Sequence, residues 1–280
     1  MIQLANRLFS RFERFCFHNR IRLFKTLYIN FRTLPFHQAI RVPIVIYGPI
    51  GLYNLGGNIE IRGAVRRNMI KLGYKQGFFS GSKGCSMILL APGTKLIFNG
   101  PCMFDLDYAI RITGKGVVNI GSYIGFGSDT KIYCEESIAI GDYCRIPFGS
   151  CFMDTNYHYS IHTEFGAVHR KSAPIVIGRY NWIGNTCTIM KGTETPDGTV
   201  IASKSFLNKN YRELGNGEEN LVLAGSPAKI VQRNCTRVLS LEMESYLNEW
   251  FAANPDQKVC SEKHLLDDYR NNIKYCKSFK

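Results

Sequence analysis

The chain has 280 residues, 45% of them hydrophobic and 20% charged, with 35 Lys and Arg against 22 Asp and Glu for a formal net charge of +13. That length can bury a sizeable core in one or two domains, and the apolar content is too high for a disordered chain. No uncharged apolar stretch reaches the roughly 18 residues of a spanning helix. Arg7, Arg11, Glu13 and Arg14 interrupt the N-terminus, so no cleaved signal peptide is expected.

Residues 1–41 hold eight Arg or Lys and one acid, Glu13, together with eight aromatic residues. Leu4, Leu8, Phe12, Phe15 and Cys16 recur at helical spacing with Arg7, Arg11 and Arg14 between them. Two readings of this basic amphipathic segment compete. Its rings and guanidinium groups suit an anionic bilayer surface through residues 1–34, and its apolar face suits packing on the body of the protein or on a neighbouring subunit. No nucleic-acid motif accompanies the charge, so nucleic acid is not an expected partner.

From residue 59 a different period takes over. Aliphatic or aromatic residues return every six positions at Ile120, Phe126, Ile132 and Ile138, then at Ile140, Ile146 and Phe152, and again at Ile177, Ile183 and Ile189. The pattern misses at Thr195, which reads as a local defect, and returns at Ile201. Gly or another small residue often follows, as at Gly121, Gly127, Gly141, Gly178 and Gly184. A weaker version upstream includes Ile59, Ile61, Val65, Ile88, Leu96, Ile97, Ile110, Ile112 and Val118.

A six-residue period fits neither a helix nor an alternating strand. It fits a chain wound round a triangular prism, about 18 residues per turn, with the aliphatic residue pointing inward and small residues near the corners. Residues 59–205 allow about eight coils. The fold class expected is an all-β solenoid.

The ten cysteines include no CxxC pair, and several stand among β-branched residues, as Cys187 does. They read as small buried hydrophobes of a reduced, cytoplasmic compartment.

Between Phe152 and Ile177 the period breaks, and the insert carries His158, His162 and His169, three of the six histidines. An interruption of a solenoid is where function concentrates. His158 lies just past the last regular hexad, and Asp154 is placed to accept a hydrogen bond from its ring and fix the tautomer. His162 and His169 read as solvated loop residues. The three lie too close in one loop for the separated ligands of a prism zinc site, so no metal is expected.

Three stretches, Asp154-Thr-Asn-Tyr-His158, Pro174-Ile-Val-Ile-Gly178-Arg-Tyr-Asn-Trp182-Ile-Gly184 and Gly225-Ser-Pro-Ala-Lys229, resemble the hexapeptide-repeat acyltransferases. Within that family they are most similar to the galactoside and maltose O-acetyltransferases and the acetyltransferases of capsule and exopolysaccharide pathways. The resemblance covers about residues 110–233 and implies a left-handed parallel β-helix, acetyl-CoA as co-substrate and a homotrimer. The family's catalytic histidine precedes the tryptophan by 24 positions, the spacing of His158 and Trp182 here.

By the resemblance His158 is the general base that takes the proton of an acceptor hydroxyl, with Asp154 beside it. Imidazole is mostly neutral at pH 7, since its ordinary pKa is about 6.5. Trp182 would wall the acceptor or pantetheine pocket. Asn185, Ser203, Asn208, Lys209, Lys229 and Arg233 fall at positions that contact CoA. The chain departs from the pattern in inserting residues 210–220 after Lys209, and Asn156 stands where relatives often carry a second Asp.

The resemblance therefore implies an O-acetyltransferase acting on a sugar hydroxyl in glycan assembly. Its alternatives are an N-acetyltransferase of an amino sugar nucleotide and a non-catalytic glycan-binding solenoid. The domain reading is a basic amphipathic helical segment at 1–41, a β-helix domain at 42–233, and a C-terminal helical extension at 234–280. Val238 to Trp250 carries helical spacing.

Overall fold

The computed structural model describes residues 20–75, 86–262 and 265. Ile44–Ile46, Gly51–Leu55 and Asn58–Ile61 form the three sides of a first coil, and Ile70–Leu72 returns to lie parallel beside Ile44–Ile46. Repetition of that circuit builds three sheets of nine, seven and six strands. All pairings are parallel except the last, where Ala228–Gln232 folds back on Val222–Gly225. The fold is thus the expected all-β solenoid, a parallel β-helix. Six coils are complete, a seventh has two strands, and Val222–Gly225 opens an eighth.

The hexad residues line the prism in columns. Ile61, Phe98, Ile120, Ile140, Ile177 and Thr195 stack up the third face, and Leu72, Phe104, Phe126, Ile146, Ile183, Ile201 and Leu223 up the first. All are buried. The rings of Phe104 and Phe126 lie 4.1 Å apart and nearly parallel, one coil above the other.

Thr195 corrects the reading of a defect. It holds its place in the third-face column, and its hydroxyl donates to Asn181 Oδ1 at 2.9 Å while accepting from the Gly178 N–H at 3.2 Å. A buried hydroxyl with both partners keeps the coil intact where an aliphatic residue is missing. Coils also begin earlier than the six-residue period places them, at Ile44 rather than near residue 59.

Small residues stand near the corners as expected, and tyrosines take the left-handed turn beside them. Tyr123, Tyr143 and Tyr180 turn one corner with φ near +60°, and their rings stack at 5.4 and 5.2 Å. Gly121, Gly141 and Gly178 stand two residues earlier, where a Cβ on any of them would meet backbone of the next coil at 2.5–2.6 Å. These glycines set the clearance between coils.

Helix α1 (Leu23–Thr33) closes the N-terminal end, followed by the short α2 (Phe36–Ala39). At the other end the chain leaves the second face after Phe206–Leu207, and the third side is finished by α3 (Tyr211–Leu214). The insertion at 210–220 therefore supplies the last third-face element: Asn210 bridges Glu194, and buried Tyr211 donates to the Ala228 carbonyl at 3.1 Å. Helix α4 (Leu241–Ala253) follows, its Ser240 hydroxyl accepting from the Met243 N–H.

Gly141→Ala should cost about 3 kcal/mol in denaturant unfolding, the upper end for overpacking, because the obstructing atoms are backbone. Gly63→Ala, at φ +79° with open space around it, should cost only about 1 kcal/mol. Equal losses would mean that backbone conformation rather than coil clearance governs these positions.

Candidate active site

Asp154 marks the point where the chain departs from the prism. The column Leu90, Ile112, Cys134 runs up the second face, and Asp154 follows Met153, which pairs with Tyr133 one coil below. Its carboxylate is fully buried and accepts the N–H groups of Glu135, Glu136 and Ser137, each at 2.8 Å, and the Cys134 thiol at 3.2 Å. Where the excursion removes the overlying coil, the carboxylate replaces the carbonyls that coil would have offered. Burial, with the Asp154 charge beside it, pushes the Cys134 thiol up.

The hydrogen bonds of Asp154 run down into the prism, and none goes to His158.

The two ends of the excursion are clasped to the same turn. Thr155 donates to Glu135 at 2.9 Å, Lys171 pairs with Glu135 at 2.8 Å, and Ser172 donates to Glu136 at 2.7 Å. The Lys171 ammonium holds the Glu135 carboxyl below its ordinary value. Between the clasped ends the chain forms a hairpin, bridged at Thr155–Ser172 and at Ile161–Val168. Tyr157 has φ +59°, and the Arg111 guanidinium lies 5.5 Å from its ring centroid.

His158 comes next and is exposed, its ring making no hydrogen bond to a described residue. It stands three residues past Thr155, the last clasped position on the outgoing strand. His162 stacks on Phe165 at 3.7 Å near the hairpin tip, and His169 is exposed. Among the described residues no three His, Cys, Asp or Glu side chains gather to hold a metal ion.

Trp182 lies elsewhere, on the first face, in an outward column between Arg145 and Val200. Its side is 43% exposed, and Arg237 covers the ring with its guanidinium 5.4 Å from the centroid. Arg237 belongs to the C-terminal stretch, where no sequence motif signals it. The tail that delivers it is pinned by Thr236, which donates to the Gly198 carbonyl at 2.8 Å.

The six residues expected to contact CoA fall into separate groups. The Asn185 N–H donates to the Ser203 hydroxyl at 3.1 Å at the corner after the first face. Asn208 and Lys209 line an open groove of about 740 Å³ at the corner after the second face, with Gly192, Asn210, Glu213 and Leu214. Lys229 is exposed on the returning strand, and Arg233 is paired with Glu218 of the insertion. Of the six, only Asn208 and Lys209 line that groove.

No family model matches the chain. Among curated proteins it is 27% identical over 125 residues to the colanic acid biosynthesis acetyltransferase WcaF of Escherichia coli K12, covering 44% of this chain and 63% of that one. It is 27% identical over 128 residues to the lipopolysaccharide biosynthesis O-acetyl transferase WbbJ of the same strain, covering 43% and 62%. It is 30% identical over 137 residues to the carnitine operon protein CaiE of Escherichia coli O7:K1, covering 47% and 65%. The chain thus spans less than two thirds of each relative's length. Among solved structures, the polysialic acid O-acetyltransferase OatWY aligns with a TM-score of 0.47 at 21% identity, over 71% of this chain and 98% of that one. The resemblance to hexapeptide-repeat acetyltransferases stands on these sequence relatives.

Asp154→Ala leaves three buried N–H groups without an acceptor and should cost at least about 3 kcal/mol, with Asp154→Asn costing less. Chemical denaturation of both variants checks this. An unchanged midpoint for the alanine variant would return Asp154 to a role on the histidine.

Proposed function

We propose that the protein is an acetyl-CoA-dependent O-acetyltransferase that esterifies a sugar hydroxyl in surface-glycan assembly. The observation that carries this is the excursion itself: the break between Met153 and Ile175 is clasped at both ends and presents His158 at its rim, and the relatives WcaF and WbbJ are acetyltransferases of glycan biosynthesis by name.

In this reading the neutral His158 imidazole takes the proton of the acceptor hydroxyl as its oxygen attacks the thioester carbonyl carbon. A C–O bond forms, and the tetrahedral oxyanion is met by N–H donors of the cleft. Collapse breaks the C–S bond, and the imidazolium returns its proton to the departing CoA thiolate. The ester and free CoA leave. Trp182 walls the pocket, while Asn185, Ser203, Asn208, Lys209, Lys229 and Arg233 take the CoA arm and its phosphates.

His158 leaves the prism beyond the second face, whereas Trp182 stands on the first. A cleft that uses both is completed between neighbouring copies, and a head-to-tail contact closing at a threefold ring supplies it. Such a homotrimer works in the cytoplasm, with peripheral contact to the inner face of the membrane through residues 1–34. No helix among the described residues is long and apolar enough to cross a membrane.

His158→Ala should lower kcat by roughly 10²–10⁴-fold with CoA binding nearly unchanged, measured with labelled acetyl-CoA and host surface glycan. Label that resists hydroxylamine would mark an amide and favour transfer to an amino sugar. Greater damage from His162→Ala would move the base along the loop. For the trimer, an inactive His158→Ala chain mixed with an inactive Lys209→Glu chain should regain activity on subunit exchange. A monomeric mass by light scattering in an active preparation would overturn the shared cleft.

A further inference from the structure

Helix α1 is amphipathic in the inverted sense. Its polar residues face the solenoid: the buried Asn30 amide donates to the Ile44 carbonyl at 2.7 Å and accepts from the Ile44 N–H at 3.2 Å, and the buried Thr26 hydroxyl accepts from the Ile46 N–H at 3.0 Å. Among the described residues no coil lies below the first strand, and these side chains satisfy its edge. Only Ile29 enters the core from this helix.

The apolar residues are consequently turned outward. Phe24 is 88% exposed, and Leu27, Tyr28 and Phe31 continue the same face at helical spacing. Phe36 of α2, exposed at 73%, extends the patch, its ring centroid 6.2 Å from that of Phe31. Ile21, Leu23 and Ile40 are exposed beside it. A contiguous exposed apolar surface of this kind is an interaction site in a stable protein.

Charge selects the partner. Residues 20–67 contain eight Lys or Arg and a single acid, Glu60, which is paired with Arg62. Arg22, Lys25 and Arg41 donate to backbone carbonyls, which position them and leave their charge uncompensated. A second copy seated on this patch by its own α1 face would set cations against cations. Residues 1–19 of the same chain, with three Arg and one Glu, would also add positive charge. An anionic lipid surface supplies both an apolar layer for the rings and phosphates for the cations.

We infer that the outward face of α1 and α2, ringed by Arg20, Arg22, Lys25, Arg32 and Arg41, is a docking surface for an anionic bilayer, so that the prism stands on its N-terminal end. The inference deepens the membrane contact within the proposed function and locates it on described residues. It is read without acyl transfer, so either can fail alone.

The experiment is co-sedimentation of the full chain with phosphatidylcholine vesicles, with and without phosphatidylglycerol. Binding is expected only to the anionic vesicles and should weaken as salt is raised. Phe24→Glu with Phe31→Glu, both on the exposed face, should weaken it roughly ten-fold or more, and Arg20→Gln with Arg32→Gln should weaken it while leaving unfolding unchanged. A chain lacking residues 1–19 should still bind. Undiminished binding by both variants, or equal binding to neutral vesicles, would overturn the inference. So would a halved mass of the Phe variant by light scattering, which would make a second copy the occupant. Appearance of binding only after removal of residues 1–19 would show that segment to be the occupant instead.

Discussion

Every coil of this protein depends on the coils above and below it to pair its N–H groups and carbonyls, across a spacing of about 4.8 Å. That dependence makes the interior regular and explains its glycines. Gly141 sits where the next coil's backbone passes 2.6 Å from the site of a Cβ. It also makes every interruption expensive, because a missing coil leaves a row of buried donors or acceptors. The chain meets that cost with side chains at each interruption.

Three such places share one solution. At the N-terminal edge Asn30 and Thr26 act as the coil that is not there. At the excursion Asp154 takes three N–H groups of the turn below. At the far end Tyr211 and the antiparallel return of Ala228–Gln232 close the first sheet. In each case a polar group is spent on the backbone, and the residues beside it are released from the hexad pattern. His158, the groove at Lys209 and the outward rings of α1 all occupy released positions.

The same physics decides what the sequence could reveal. The hexad residues from Ile120 to Ile201 were legible because each must be apolar to fill a column, and all of them are buried. The pair Asn181 and Thr195 was not, since a polar residue in an apolar column looks like an absence until its partner is seen. Asp154 was legible as a special residue but not in its direction: four residues from His158 it suggested a bond upward to the ring, and its bonds run downward. Arg237 on Trp182 carries no signal, because its contact depends on the path of a tail outside the repeat. The amphipathic reading of residues 1–16 lies outside the described residues, while its continuation at 23–33 is helical with its apolar side outward.

Charge is also distributed along the solenoid. The end built from residues 20–67 is strongly basic, whereas residues 210–262 hold eight acids against five Lys or Arg. In a field from an anionic surface, a prism polarised in this way is drawn down at one end and repelled at the other, so orientation is set before any contact forms. Four strand spacings separate Gly51–Leu55 from Cys151–Met153, which places the start of the excursion on the order of 20 Å along the axis from the first coil. Docking by the basic end therefore leaves the clasped loop and Trp182 clear of the bilayer. In the proposed reaction, an acceptor that reached them from such a surface would have to project at least that far, which suits a glycan chain better than a single headgroup sugar.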